Sequence, residues 1–333
     1  MSLDQLTLKP HDQLARALAP ELERVNALIR TRMASESAPR IPEVTAHLIE
    51  AGGKRLRPML TLASARLCGY AGEHHIRLAA TVEFIHTATL LHDDVVDDSA
   101  QRRGRPTANL LWDNKSSVLV GDYLFARAFQ LMVECDSLRV LDILSNAAAT
   151  IAEGEVLQLT TVRNLATDEA TYERVIRGKT AALFSAATEA GAVIAGAPEP
   201  QADALRRYGD ALGMGFQIVD DFLDYGGAGT GIGKNLGDDF REGKPTLPLI
   251  RAVACADAEE RAFWERVIER RDQRPGDLEH AMALMARHGA LDGVRKSALD
   301  WVATARAALG VLPDTELRTM LDELAGYVVA RLT

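Results

Sequence analysis

Apolar positions recur at helical spacing along nearly the whole chain. Between Pro10 and Met33, the residues Leu14, Leu18, Leu22, Val25, Leu28 and Ile29 form one stripe, which predicts an amphipathic helix. A short helix is expected over Pro42–Ala51, ended by Gly52-Gly53. Another starts at Arg57-Pro58, where proline suits a first turn, and runs to about Cys68. The stretch Glu73–Asp98 is apolar on almost every side in its middle, so it belongs in the interior. Leu110–Glu134, Leu138–Thr161, Asp168–Ala195 and Pro200–Tyr225 read as four further long helices with short breaks between them. Gly226–Thr246 holds seven glycines together with Lys234, Arg241 and Lys244, and reads as a long functional loop. Shorter helices follow Pro248, interrupted near Pro275-Gly276, His288-Gly289 and Gly310–Pro313. Strand signals are scarce and no linker divides the chain. The expectation is one all-α domain over residues 1–333.

Composition narrows the chemistry. A chain of 333 residues can bury a large core. Its formal charge of −9 argues against a nucleic-acid binder, so an anionic ligand must be met by local cations or by metal ions. Cys68, Cys135 and Cys255 lack metal-ligand spacing and cannot all pair within one chain, which fits reduced thiols. The first residues lack the basic start and apolar core of a signal peptide, and no apolar run approaches the ~18 residues a membrane span needs. A soluble, cytoplasmic protein is expected.

The candidate chemistry gathers at the end of the interior helix. Asp93, Asp94, Asp97 and Asp98 lie within six positions, after an apolar approach. At about 100° per residue, Asp93 and Asp97 share one side and Asp94 lies close to them. Carboxylates this close repel unless neutralised, and a hard divalent cation such as Mg²⁺ is suited to them. Arg102-Arg103-Gly104-Arg105 follows, a cluster suited to phosphate oxygens. Taken alone, this is equally an acidic helix end before a basic turn. A second DDxxD at Asp220, Asp221 and Asp224, also after an apolar run, and the basic Gly52–Pro58 upstream favour a metal–diphosphate site.

Together these residues resemble the trans-isoprenyl diphosphate synthases, in particular the long-chain polyprenyl type. The resemblance rests on Gly52–Pro58, Asp93–Asp97 with Arg102-Arg103, Gly178-Lys179-Thr180, Gln217–Asp221 and Gly233–Thr246, in that order along the chain. It implies an all-α bundle around a central cavity and three Mg²⁺ ions when substrate is bound. It implies that Asp93, Asp94, Asp97, Asp220, Asp221 and Asp224 hold the metal. Arg102, Lys179, Lys234 and Lys244 would surround the diphosphate of an allylic substrate, farnesyl or geranylgeranyl diphosphate. Thr180 and Gln217 would steady the allylic cation with neutral oxygen dipoles. Lys54, Arg57, His86 and Arg103 would bind isopentenyl diphosphate. By this resemblance the catalytic group is Asp93, Asp97, Lys179, Thr180, Gln217 and Asp220, and the enzyme is a homodimer. Read alone, His86 is more often a core histidine and Lys179-Thr180 an ordinary helical pair. His74-His75 and Trp112, Trp264 and Trp301 read as packing or surface residues.

Product length follows from side-chain size. In this family bulky residues one turn before the first DDxxD stop growth early, and here those positions are Ala88 and Thr89. A growing chain would pass them, run beside Ile85 and Val82, and stop deeper, with Phe125, Phe129 and Met132 as candidate floor residues. That points to C40–C50, the length of a quinone side chain. A C15–C20 synthase, a class I terpene cyclase, a non-catalytic partner subunit and an acidic helical scaffold are the competing readings. The basic Gly52–Pro58 and the retained aspartates favour chain elongation.

Overall fold

The computed structural model describes residues 8–50, 53–102, 104–226 and 236–332. It is all-α. The helices are α1 (Pro10–Ala17), α2 (Ala19–Met33), α3 (Arg40–Glu50), α4 (Leu56–Leu67), α5 (His74–Val96), α6 (Ala108–Leu111), α7 (Asn114–Val133) and α8 (Leu138–Thr161). They continue with α9 (Glu169–Ile176), α10 (Ala182–Ile194), α11 (Glu199–Gly226), α12 (Asp238–Glu242), α13 (Leu247–Ala254) and α14 (Ala258–Trp264). The last are α15 (Asp277–Arg287), α16 (Ala290–Ala308) and α17 (Glu316–Val329). Among the described residues the only strand pairing joins β1 (Gln101–Arg102) to β2 (Arg105–Pro106).

Two of the departures from the sequence expectation have a plain local reason. The first predicted helix breaks at Leu18, because Pro20 has no N–H and its ring would clash with the carbonyl four residues earlier. The helix expected over Leu110–Glu134 breaks at Trp112-Asp113. There the Asp113 carboxylate accepts the backbone N–H of Ser116 at 2.7 Å and starts α7 as an N-cap. The predicted loop Gly226–Thr246 contains α12 among its described residues, while 227–235 lie outside them.

The chain forms two compact units. The first comprises Met1–Ala148, Leu183–Gly209 and Leu309–Leu324. Its centre is α5, which packs against α2, α4 and α7 and buries Leu78, Val82, Phe84, Ile85, Ala88 and Leu91. The interior placement expected of this segment is therefore observed. Tyr208 is fully buried here and its hydroxyl donates to the Leu321 carbonyl at 2.8 Å, as a buried polar tip requires. The outer face of α7 leaves Leu119, Phe129 and Val133 exposed. Phe129, at 42% exposed, is thus no buried tunnel floor; Met132 is buried, and Phe125 stacks on His92 with ring centroids 6.0 Å apart.

The second unit comprises Ala149–Ala182, Asp210–Ala308 and Ala325–Thr333. Its core gathers Tyr225, Phe240, Leu249, Trp264, Val267 and Met285, so Trp264 has the packing role expected of it. No cysteine is paired: Cys68 and Cys135 are covered, and burial pushes both thiols up to about 11, while Cys255 is exposed. Among the described residues no helix is long and apolar enough to cross a membrane.

Candidate active site

In the first unit, α5 carries the first acidic motif at its C-terminal end. Asp93 and Asp97 stand one helical turn apart and are half-buried. Asp94 points inward and is fully buried. Its Oδ1 accepts from the Arg102 guanidinium at 2.8 Å, and its Oδ2 has no hydrogen-bond partner. Burial pushes the Asp94 carboxyl above its ordinary pKa, and Arg102 pulls it part of the way back. The β1–β2 hairpin that follows α5 presents Arg102 to it. The pair faces a small cleft also lined by His47, Arg55, Glu83 and His86.

Arg57 and His86 lie side by side. An Arg57 Nη lies 3.3 Å from His86 Nε2, and the guanidinium covers the Phe184 ring, 4.4 Å from its centroid. Lys54 is exposed just before α4. Arg55, at the N-terminal boundary of α4, pairs with the buried Glu83, a carboxylate that helical periodicity did not single out.

In the second unit, a π-helical turn over Arg177–Ala181 carries Lys179 and Thr180 between α9 and α10. Such turns are rare and mark functional sites often. Close contact with α8 accompanies it, because a Cβ on Gly178 would stand 2.9 Å from Gly154 Cα and one on Gly154 would stand 2.7 Å from the Lys179 nitrogen. Backbones this near require glycine at both places. Gly178→Ala is therefore expected to destabilise the protein by about 1–3 kcal/mol, as overpacking does, and a melting curve followed by circular dichroism will read this as a drop of several degrees. The same contact sets Glu155 beside Lys179, with Nζ donating to Oε2 at 2.9 Å.

The second acidic motif lies on α11. Asp220 is half-buried. Asp221 is 4% exposed and accepts from the Tyr172 hydroxyl at 2.6 Å and from Gln217 Nε2 at 2.8 Å. Thr180 donates to Gln217 Oε1 at 2.8 Å. Asp224 accepts the backbone N–H groups of Asp238 and Asp239 at 3.1 and 3.0 Å, and so anchors the start of α12. Lys244 pairs with Glu242 at 2.6 Å. Arg103 and Lys234 lie outside the described residues.

Asp94, Asp221 and Asp224 have oxygens committed to an arginine, to tyrosine and amide donors, or to backbone N–H groups. Asp93, Asp97, Asp220 and Asp224 are half-buried, whereas Asp94 and Asp221 are buried. Tyr172 and Glu155 were missed by sequence reasoning. The π turn contains an additional residue, so regular 100° spacing does not predict which side chains share a face across it.

Known proteins share this sequence and this fold. The family description "Polyprenyl synthetase" matches residues 38–285. An octaprenyl diphosphate synthase from Haemophilus influenzae is 43% identical, over 96% of this chain and 97% of its own. A crystal structure of a decaprenyl diphosphate synthase from Rhodobacter capsulatus is 72% identical with a TM-score of 0.94, covering 97% of this chain and 99% of its own. A polyprenyl synthase from Caulobacter crescentus, solved with calcium and isoprenyl diphosphate, is 52% identical with a TM-score of 0.91, covering 96% of this chain and 97% of its own.

The chain belongs to the polyprenyl synthetase family. Within that class it is an enzyme, a trans-polyprenyl diphosphate synthase of the long-chain kind.

Proposed function

We propose that the protein condenses isopentenyl diphosphate with an allylic diphosphate, farnesyl or geranylgeranyl diphosphate, to make an all-trans C40–C50 polyprenyl diphosphate for a quinone side chain. The observation that carries this reading is the arrangement of α5. Its C-terminal end stacks Asp93 and Asp97, and one turn earlier it has only Ala88 and Thr89.

Mg²⁺ fits the donor set. It prefers carboxylate oxygen and is usually held by one or two carboxylates plus substrate phosphates rather than by an all-protein cage. Among the described residues no three His, Cys, Asp or Glu side chains gather into a metal-holding group. Asp93, Asp97 and Asp220 would hold the ions, with Asp94, Asp221 and Asp224 setting their surroundings. Bound there, a metal ion would supply positive charge to offset the charge developing on the departing diphosphate. Arg102, Lys179, Lys244 and Lys234 add positive charge around the same group. Lys54, Arg57, His86 and Arg103 bind the diphosphate of isopentenyl diphosphate, the pairing of Arg57 with His86 giving two adjacent donors for phosphate oxygens. Thr180 and Gln217 are neutral, so they can stabilise an allylic cation without capturing it as a carboxylate would.

We read the two units as parts of one catalytic domain, since the family match runs through both. The exposed Leu119, Phe129 and Val133 on α7 support a homodimer of this chain, and a cytoplasmic setting accords with the unpaired thiols. A product assay tests the whole reading: farnesyl diphosphate, labelled isopentenyl diphosphate and Mg²⁺, with dephosphorylated products sized by chromatography. Products of C40–C50 are expected. A stop at C15–C20 would keep the reaction and overturn the chain length. No elongation by folded protein would point to a cyclase or a partner-dependent subunit.

A further inference from the structure

Four side chains of the second unit are hydrogen-bonded in series. Thr180 donates to Gln217 Oε1, Gln217 Nε2 donates to Asp221 Oδ1, and the Tyr172 hydroxyl donates to Asp221 Oδ2. Tyr172, Thr180 and Asp221 are each less than 7% exposed, so water does not compete freely for these bonds. Proton direction along the series follows from chemistry alone. A carboxylate can only accept. Gln217 must therefore turn its NH₂ toward Asp221, because its carbonyl there would set two acceptors together. Its Oε1 then faces Thr180, and the threonine hydroxyl supplies the one proton available between them. Having donated it, Thr180 Oγ1 has only lone pairs left to offer. The Tyr172 hydroxyl faces a carboxylate, which has no proton to give, so it is the donor of that bond.

We propose that Asp221 and Tyr172 are positioning residues that fix the proton polarity of this relay, so that Thr180 and Gln217 present oxygen lone pairs to the electron-poor carbon of the allylic substrate. This rests on the function proposed for Thr180 and Gln217, which places them facing that carbon. A hydroxyl hydrogen aimed at a developing cation would oppose its charge, whereas a fixed oxygen dipole favours it and needs no reorganisation as the charge appears. Asp221 contributes its negative field from behind the Gln217 amide, where its own oxygens are occupied by donors and cannot trap the cation. The role also separates Asp221 from its neighbour Asp220, which is proposed to hold metal.

The test compares Asp221→Asn, Tyr172→Phe, Asp220→Asn and Thr180→Val in two measurements. One is the single-turnover rate of one condensation as Mg²⁺ is titrated. The other is the calorimetric Kd, with Mg²⁺, of a thio-analogue of farnesyl diphosphate that does not ionise. Asparagine can offer either an oxygen or an NH₂ to Gln217, so polarity is lost while shape is kept. Asp221→Asn is expected to slow the condensation roughly 10- to 100-fold. Tyr172→Phe is expected to slow it by about 3- to 10-fold, the loss of one hydrogen bond to a charged group. In both, the Mg²⁺ concentration for half-maximal rate and the analogue Kd should stay within about twofold of wild type, because the ground state carries no cation. Asp220→Asn should shift both. If Asp221→Asn shifts the Mg²⁺ requirement as Asp220→Asn does, Asp221 is a metal ligand and the relay is refuted. If Thr180→Val is slow while Asp221→Asn and Tyr172→Phe run at wild-type rate, the polarity role alone fails. If Thr180→Val itself runs at wild-type rate, the underlying placement of Thr180 fails.

Discussion

Asp220→Ala is expected to reduce turnover by roughly 10²-fold or more, on the order of what loss of a major electrostatic element in an active site produces. The protein should remain folded. Asp220 is half-buried on α11, and alanine is a better helix former than aspartate. The far-UV circular dichroism spectrum should therefore match wild type while labelled isopentenyl diphosphate goes unincorporated. Asp93→Ala should behave alike, since Asp93 occupies the same leading position in the first motif. Wild-type rates in either variant with Mg²⁺ present would dismiss the metal assignment. Asp224 provides the contrast, because its carboxylate caps the start of α12 and its loss should register first as reduced stability.

The second large effect concerns product length. Ala88→Phe should convert a C40–C50 distribution to one ending near C15–C20 while the first condensations proceed. Ala88 is fully buried in α5, and on the proposed path a phenyl group there would obstruct the growing chain. Overpacking of this kind costs about 1–3 kcal/mol, so a melting curve must accompany the product analysis. Thr89→Phe is the companion variant. At about 100° per residue Thr89 stands roughly 40° from Asp93 around α5, and it is half-buried with its hydroxyl bonded to the His86 carbonyl at 2.8 Å. An unchanged distribution in both variants would show that the chain leaves the diphosphate site by another route.

Much of the architecture was legible from apolar periodicity, because long helices in an all-α protein repeat one simple signal. The interior position of α5 followed from its lack of a polar face. The break at Leu18 was legible too, through Pro20, but the apolar stripe runs straight across it and masks it. The six aspartates were legible as a set, and the partners that three of them take were not. Those partners are Arg102 eight residues beyond Asp94, Tyr172 forty-nine residues before Asp221, and, for Asp224, backbone N–H groups at the start of α12. None of these pairings leaves a periodic trace. Phe129 illustrates the reverse error: a large apolar side chain at plausible helical spacing was read as an inner wall and proves to be exposed.

The π turn over Arg177–Ala181 has a bearing on which changes of length the chain can tolerate. A substitution within it alters one side chain. Deleting a single residue would let the turn relax to ordinary α geometry and shift the side chains before it by about 100° around the helix axis. Tyr172 would swing away from Asp221, and Gly178 would lose its register with Gly154, although no residue touching substrate had been replaced. Family members should therefore vary freely in length at the loops around this segment and hardly at all within it.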